Sequence, residues 1–314
     1  MLTTFIDLLD PVETTYDIVS GISVGSLNGG TFSTFKQGEE KAFKEFVMDV
    51  WHSVNFETVF KFWPGGWREG IFEQSAVVDN TPLMNLVYEK LGDRKLERTF
   101  IAGTADMNKG SYEFFKYENV GEPVSQHMYD SIFASSAMPG IFPPIERDGM
   151  VLLDGGIVWK NDAVNAIDWC REQGYTDDQI IVDWIVCAID EIFPREAITQ
   201  SNTVGIALRA YGLNEFFGAR NDIDRTLELY PDVNFRYIVG PSESLSVKFL
   251  VPLDFSREHL EKSIRIGEKD GRAAVENGPE IYKKALLKRW KMFGEVDARP
   301  SMEDLLMEAR LAAY

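Results

Sequence analysis

The stretch 16–30 constrains the fold more than any other part of the chain. There an apolar run enters Gly21, Ile22, Ser23, Val24 and Gly25 and leaves into a small-residue helical pattern. A strand that turns at once into a helix strains its backbone, and glycine on either side of the serine lets neighbouring main chains come close. The serine hydroxyl is thereby presented at the edge of a sheet. The helix that follows starts with free N–H groups and the positive end of its dipole beside that serine, where a developing oxyanion would be stabilised. Gly29 and Gly30 lower helix propensity in the next turns, which predicts that this helix packs closely against its neighbours. Taken alone, G-x-S-x-G is a weak signal, because a Gly-rich turn with an incidental serine reads the same.

The rest of the chain places this turn in an α/β setting. Residues 16–20, 98–105, 151–154 and 180–189 read as buried strands. Between them, 39–54 repeats apolar residues at helical spacing, and Thr81, Pro82 and Gly92 bracket a second helix. Toward the end, 256–277 predicts a charged helix capped by Ser256, another helix follows Gly278, and 301–313 opens like a capping box. Strands apolar throughout and separated by helices predict a three-layer α/β/α sandwich with a mainly parallel central sheet. No linker interrupts the pattern, so 1–314 is expected to form one domain, with a helical C-terminal region from about 256. Residues 55–70 fit neither period and are expected to form a loop. Its Phe62, Trp63 and Trp67 either pack that loop onto the core or line a lipid entrance as acyl-chain contacts.

Charge and cysteine content narrow the function classes. Lys and Arg number 32 against 50 Asp and Glu, a net charge of -18 that disfavours nucleic acid and anionic membrane surfaces. No apolar run is long enough to span a bilayer, and the first nine residues lack the basic start and cleavage site of a secretion signal, which predicts an intracellular protein. Cys170 and Cys187 show no paired-ligand spacing and are expected to be reduced core thiols rather than a disulfide or zinc ligands.

A serine nucleophile needs a positioned base. His52 and His127 lie in helical patterns ahead of residue 154, and His259 lies inside the charged helix rather than on a loop at a strand end. Asp154 is the better candidate: it ends an apolar strand and is followed by Gly155 and Gly156. Strand ends carry chemistry in such sheets, and a carboxylate partly buried there would have its pKa raised towards neutrality. An Asp-Gly turn is the plain alternative.

Together the two motifs, 131 positions apart, resemble the patatin-like phospholipases, whose dyad pairs the Ser of G-x-S-x-G with the Asp of D-G-G or D-G-A. Residues 134–144 (ASSAMPGIFPP) are similar to that family's A-S-x-A-x-P-x-x-F-P segment, and 102–110 to its A-T-D-x-x-x-G turn. The likeness spans about 16–164, and Asn161 stands one position later than the Asn that follows the aspartate in relatives. The resemblance implies hydrolysis of fatty acyl esters of phospholipids or acylglycerols through an acyl-enzyme, without metal or cofactor. Ser23 would attack, Asp154 would take and return the proton, and the Val24 N–H would hold part of the oxyanion. Lipid is the implied partner, met in transient visits to a membrane or lipid-droplet surface. The chain departs from the family in one respect. Relatives carry a Gly-rich oxyanion loop upstream of the nucleophile strand, whereas none of the residues before Gly21 is glycine. Weak or no activity is therefore expected, and the rival reading is a catalytically silent relative that binds lipid or a protein partner.

Overall fold

The computed structural model describes residues 1–187, 203–243, 245, 254–291 and 301–312. In chain order the elements begin with α1 (Leu2–Leu8), β1 (Ile18–Ile22), α2 (Val24–Phe32), α3 (Glu40–Ser53), α4 (Phe56–Val59), α5 (Gly66–Phe72) and α6 (Thr81–Leu91). There follow β2 (Thr99–Asp106), β3 (Ser111–Tyr117), α7 (Gln126–Ser135), β4 (Ile145–Arg147), β5 (Met150–Asp154), α8 (Ala163–Glu172) and β6 (Ile181–Ile185). The last described elements are α9 (Thr203–Leu229), β7 (Asn234–Val239), α10 (Arg257–Asn277), α11 (Pro279–Lys291) and α12 (Met302–Leu311). The chain divides into two compact units, one formed by Asp10–Trp169 with Asp254–Leu260, the other by Met1–Leu9, Cys170–Leu253 and Glu261–Tyr314.

In the first unit the wholly buried strand β2 organises a five-stranded sheet. One edge of β2 carries β3, antiparallel from Phe100 opposite Tyr117 to Asp106 opposite Ser111. The other edge is shared. β1 runs parallel along it as far as Ile22 opposite Gly103, and β5 runs antiparallel from Leu152 opposite Asp106 to Asp154 opposite Thr104. The C-terminal ends of β1 and β5 therefore meet head to head, over two consecutive residues of β2. β4 pairs with the outer edge of β5.

The α/β class is as expected, but the sheet is mixed rather than mainly parallel. Tight turns impose the antiparallel pairs. Asp148 and Gly149, at φ 52° and 76°, close the two-residue hairpin between β4 and β5, and Gly110 at φ 68° ends the turn between β2 and β3. Positive φ at both central residues matches the right-handed twist of the joined strands. Helices α2 and α7 cover one face of the sheet, where Phe100 and Ala102 pack with Met128, Tyr129, Ile132 and Phe133. The close packing predicted from Gly29 and Gly30 is present: a Cβ on Gly29 would lie 3.0 Å from Val19, and one on Gly30 would lie 2.6 Å from Ile132. At the start of β2, buried Arg98 donates to the Phe35 and Tyr16 carbonyls and to Glu40, fixing α3 to the strand.

Residues 55–70 correct the loop expectation, because they contain α4 and the start of α5. Asn55 and Thr58 form a reciprocal cap on α4. In α5, Gly70 lies so close to the Val77 main chain that a Cβ would be 2.3 Å from its carbonyl oxygen. Both helices are too short for an apolar period to show.

In the second unit β6 and β7 pair in parallel, α11 packs against β7 and α12, and the Phe5 ring contacts Tyr237 with centroids 4.8 Å apart. Ser256 accepts from the His259 N–H at the start of α10, and Ser301 with Asp304 forms the predicted capping box of α12. The predicted strand 180–189 is realised as β6; its residues 188 and 189, and residue 313 of the last predicted helix, lie outside the described residues. Neither cysteine forms a disulfide, but Cys170 is half-buried and Cys187 exposed rather than core. Among the described residues no helix is long and apolar enough to cross a membrane.

Candidate active site

Ser23 sits between β1 and α2 with φ 57° and ψ -128°, a left-handed conformation that a non-glycine residue adopts only when its surroundings hold it there. Gly21 shows one reason the turn closes. A Cβ on it would stand 2.2 Å from the Gly25 carbonyl oxygen, so the strand and the first turn of α2 touch main chain to main chain. Gly25 differs from the sequence-based expectation, since nothing lies within 4 Å of where its Cβ would be. Only the first glycine of the motif is required by space. The intrahelical bonds of α2 begin with Ser26 and Leu27 donating to the Ser23 carbonyl, which leaves the Val24 and Gly25 N–H groups at the open helix end beside the serine.

Asp154 ends β5, is buried, and accepts the Gly156 N–H at 2.8 Å through Oδ1. Its own N–H donates to the Ala137 carbonyl at 3.0 Å. Gly155 lies against β2, where a Cβ would be 2.7 Å from the Gly103 carbonyl carbon, and a Cβ on Gly156 would reach within 3.9 Å of Ile22. The residue before Ser23 and the residues after Asp154 thus converge at Gly103. Lys160 donates to the Gly156 carbonyl, and Asn161 is buried.

Residues outside the serine and aspartate motifs complete the site. Ser135, fully buried at the end of α7, accepts the Ser23 N–H at 3.0 Å and donates to the Gly103 carbonyl at 2.6 Å. Tyr112 of β3 lies over Gly103, where a Cβ would be 1.9 Å from its hydroxyl, and that hydroxyl donates to Asp162 at 2.9 Å. Asn165 also donates to Asp162, at 2.7 Å. Burial pushes the Asp162 carboxyl above the ordinary carboxylate range, against the pull of the Tyr112 and Asn165 hydrogen bonds. Ser135 was visible as part of the 134–144 segment but without a role. Gly103, Tyr112 and Asp162 carried no signal except an isolated glycine in a strand, which marks a close approach of neighbouring groups.

The other residues singled out from sequence are placed as follows. His52 lies in α3, His127 in α7 and His259 in α10, all within helices. Trp63 is half-buried and anchored by its indole N–H to the Ala76 carbonyl at 3.0 Å, whereas Phe62 and Trp67 are 60% and 59% exposed. Among the described residues no group of three or more His, Cys, Asp or Glu side chains is arranged to hold a metal.

A family model described as patatin-like phospholipase matches residues 5–167, more than half of the chain. No curated protein sequence matches. Among solved structures, the crystal structure of VipD from Legionella pneumophila is similar at 10% identity and a TM-score of 0.39, over 99% of this chain and 72% of that one.

Proposed function

Because the chain belongs to the patatin-like phospholipase family, we propose that it is a lipid acyl hydrolase working through Ser23 and Asp154. The observation that carries this reading is the conformation of Ser23, φ 57° at a strand-to-helix turn, on a strand whose end abuts the strand ending in Asp154. A strained serine at such a junction is how a nucleophile is presented above a sheet. In the first step the Ser23 Oγ bonds to the ester carbonyl carbon while its proton passes to the Asp154 carboxylate. The oxyanion is met by the Val24 N–H at the helix end. Collapse breaks the ester C–O bond, and the leaving alcohol takes the proton from Asp154. Water then bonds to the acyl carbonyl carbon as one of its protons passes to Asp154, and collapse breaks the acyl–Oγ bond while Asp154 returns that proton to Ser23 Oγ, freeing the fatty acid. Exposed Phe62 and Trp67, with Trp63 beside them, supply apolar surface suited to an acyl chain.

Treatment of wild type, Ser23→Ala and Asp154→Asn with a fluorophosphonate probe and a short-chain nitrophenyl ester tests the proposal. Wild type is expected to label and turn over. Ser23→Ala should do neither, and Asp154→Asn should lose nearly as much, since members of one catalytic unit are strongly non-additive. His259→Asn should change little. Labelling that persists in Ser23→Ala refutes the assignment, and a folded wild type that never labels favours the silent lipid- or partner-binding reading.

A further inference from the structure

Ser135 joins the two halves of the site without standing in either motif. Its hydroxyl is the smallest side-chain group that accepts and donates at once, and both capacities are used: the Ser23 N–H at 3.0 Å and the Gly103 carbonyl at 2.6 Å. Full burial leaves no exposed side-chain surface at which bulk water would replace it. Two residues further on, the Ala137 carbonyl accepts the N–H of Asp154. One turn at the end of α7 is therefore bonded to the main chain of both proposed catalytic residues, and to the β2 residue opposite Ile22.

We propose that Ser135 is a positioning residue for the nucleophile. Its hydroxyl holds Ser23 in the left-handed conformation and occupies the Ser23 N–H, so that oxyanion binding falls to the Val24 and Gly25 N–H groups at the start of α2. This rests on the acyl-hydrolase reading above. A left-handed serine has nothing intrinsic to keep it there. Gly21 permits the turn by lacking a side chain, but a permissive glycine exerts no pull. The Ser135 bond supplies one, and anchors it through Gly103 to the most deeply buried strand of the sheet.

The test compares Ser135→Ala, which removes both bonds, with Ser135→Thr, which keeps the hydroxyl, at matched folded concentration. Four quantities are read: hydrogen exchange at the Ser23 amide, the fluorophosphonate labelling rate, and kcat and KM for a nitrophenyl ester. In Ser135→Ala the amide is expected to exchange at least about tenfold faster, and labelling and kcat to fall on the order of 10- to 100-fold, the scale of a small misplacement of a reacting group. KM should stay within about twofold, because the substrate is not touched. Ser135→Thr should keep most of the wild-type rate and amide protection. Unchanged exchange and labelling in Ser135→Ala overturn the proposal, as do equal losses in both variants, which would mark a packing role. Should Ser135→Ala not fold, Ser135→Cys takes its place under the same readings. If wild type neither labels nor turns over, the hydrolase reading fails, while amide protection lost in Ser135→Ala and kept in Ser135→Thr still supports the bond; any other exchange pattern overturns it.

Discussion

The two glycines of the nucleophile motif are expected to respond to alanine in opposite ways. At Gly21 the new methyl would lie 2.2 Å from the Gly25 oxygen, 2.4 Å from its carbonyl carbon and 2.7 Å from the Ser26 nitrogen. Ordinary contact begins near 3.4 Å, so the main chains would have to part by about 1 Å. Neither is free to do so. Gly21 is held in register opposite Ala102, and Ser26 is bonded to the Ser23 carbonyl at 2.9 Å. Overpacking typically costs ~1–3 kcal/mol. With backbone atoms on both sides, Gly21→Ala belongs at or above the upper end, about 3 kcal/mol. At ~2–4 °C per kcal/mol for a domain of this size, the melting temperature should fall by roughly 6–12 °C. Gly25→Ala meets nothing within 4 Å and lies in the first turn of α2, where alanine is the better helix former by ~0.5–1 kcal/mol. It should leave the melting temperature unchanged or raise it by a few degrees. Differential scanning fluorimetry of the two purified variants beside wild type decides the matter. Equal destabilisation by both substitutions, or tolerance of Gly21→Ala, would refute the steric account of the turn.

Two further outcomes concern buried ionisable groups of the same unit. The raised pKa of Asp162 means that the folded protein binds this proton more tightly than the unfolded chain, so its contribution to stability is lost as pH climbs from the ordinary value of 3.8 through the folded value. Asp162→Asn removes that loss, so its melting temperature relative to wild type should rise as pH climbs above the ordinary value of 3.8 and level off once the folded carboxyl has ionised; a pH-independent difference would contradict it. The Arg98–Glu40 pair has side chains only 2% and 6% exposed, and Glu40→Gln would leave the guanidinium buried without its counter-ion. A loss of about 3 kcal/mol in urea unfolding is expected, the lower end for a broken buried pair because the Phe35 and Tyr16 carbonyls still accept from Arg98.

Much of the fold was legible from sequence, because its strongest signals are local. The β1–Ser23–α2 junction, the Ser256 and Ser301 caps and the helix from Thr81 all follow from what a few neighbouring residues do to their own backbone. Strand direction is different. Four apolar strands read equally well as parallel or antiparallel, and β3, with an exposed residue at position 114 and none fully buried, lacks the apolar signature used to find the others. The Asp148-Gly149 pair was a hairpin signal in plain view, and the antiparallel β4–β5 pairing follows from it. Contacts between distant residues were beyond reach for another reason. Ser135 is 112 positions from Ser23 and Asp162 is 50 from Tyr112, and no periodicity encodes such a meeting.

The head-to-head meeting of β1 and β5 makes β2 the ruler of the site. Ile22 lies opposite Gly103 and Asp154 opposite Thr104, so the two strand ends are set by consecutive residues, about 3.3 Å apart along one strand. Directly paired residues share a face, and successive residues alternate. Asp154 therefore belongs to the face of Thr104 and Ala102, on which α7 packs. A slip of β5 by a single residue would move the carboxyl to the opposite face. What forbids the slip is contact rather than hydrogen bonding alone. Gly155 is seated so closely on the Gly103 main chain that even a methyl would be 2.7 Å from it, and the Ala137 carbonyl pins the Asp154 N–H from the side of α7. The glycine after the aspartate is thus a stop that fixes how far β5 travels along β2. Gly103 carries that stop on its main chain while also lying beneath Tyr112 and accepting from Ser135, so the placement of the two residues proposed as a dyad is concentrated on one residue that takes part in neither motif.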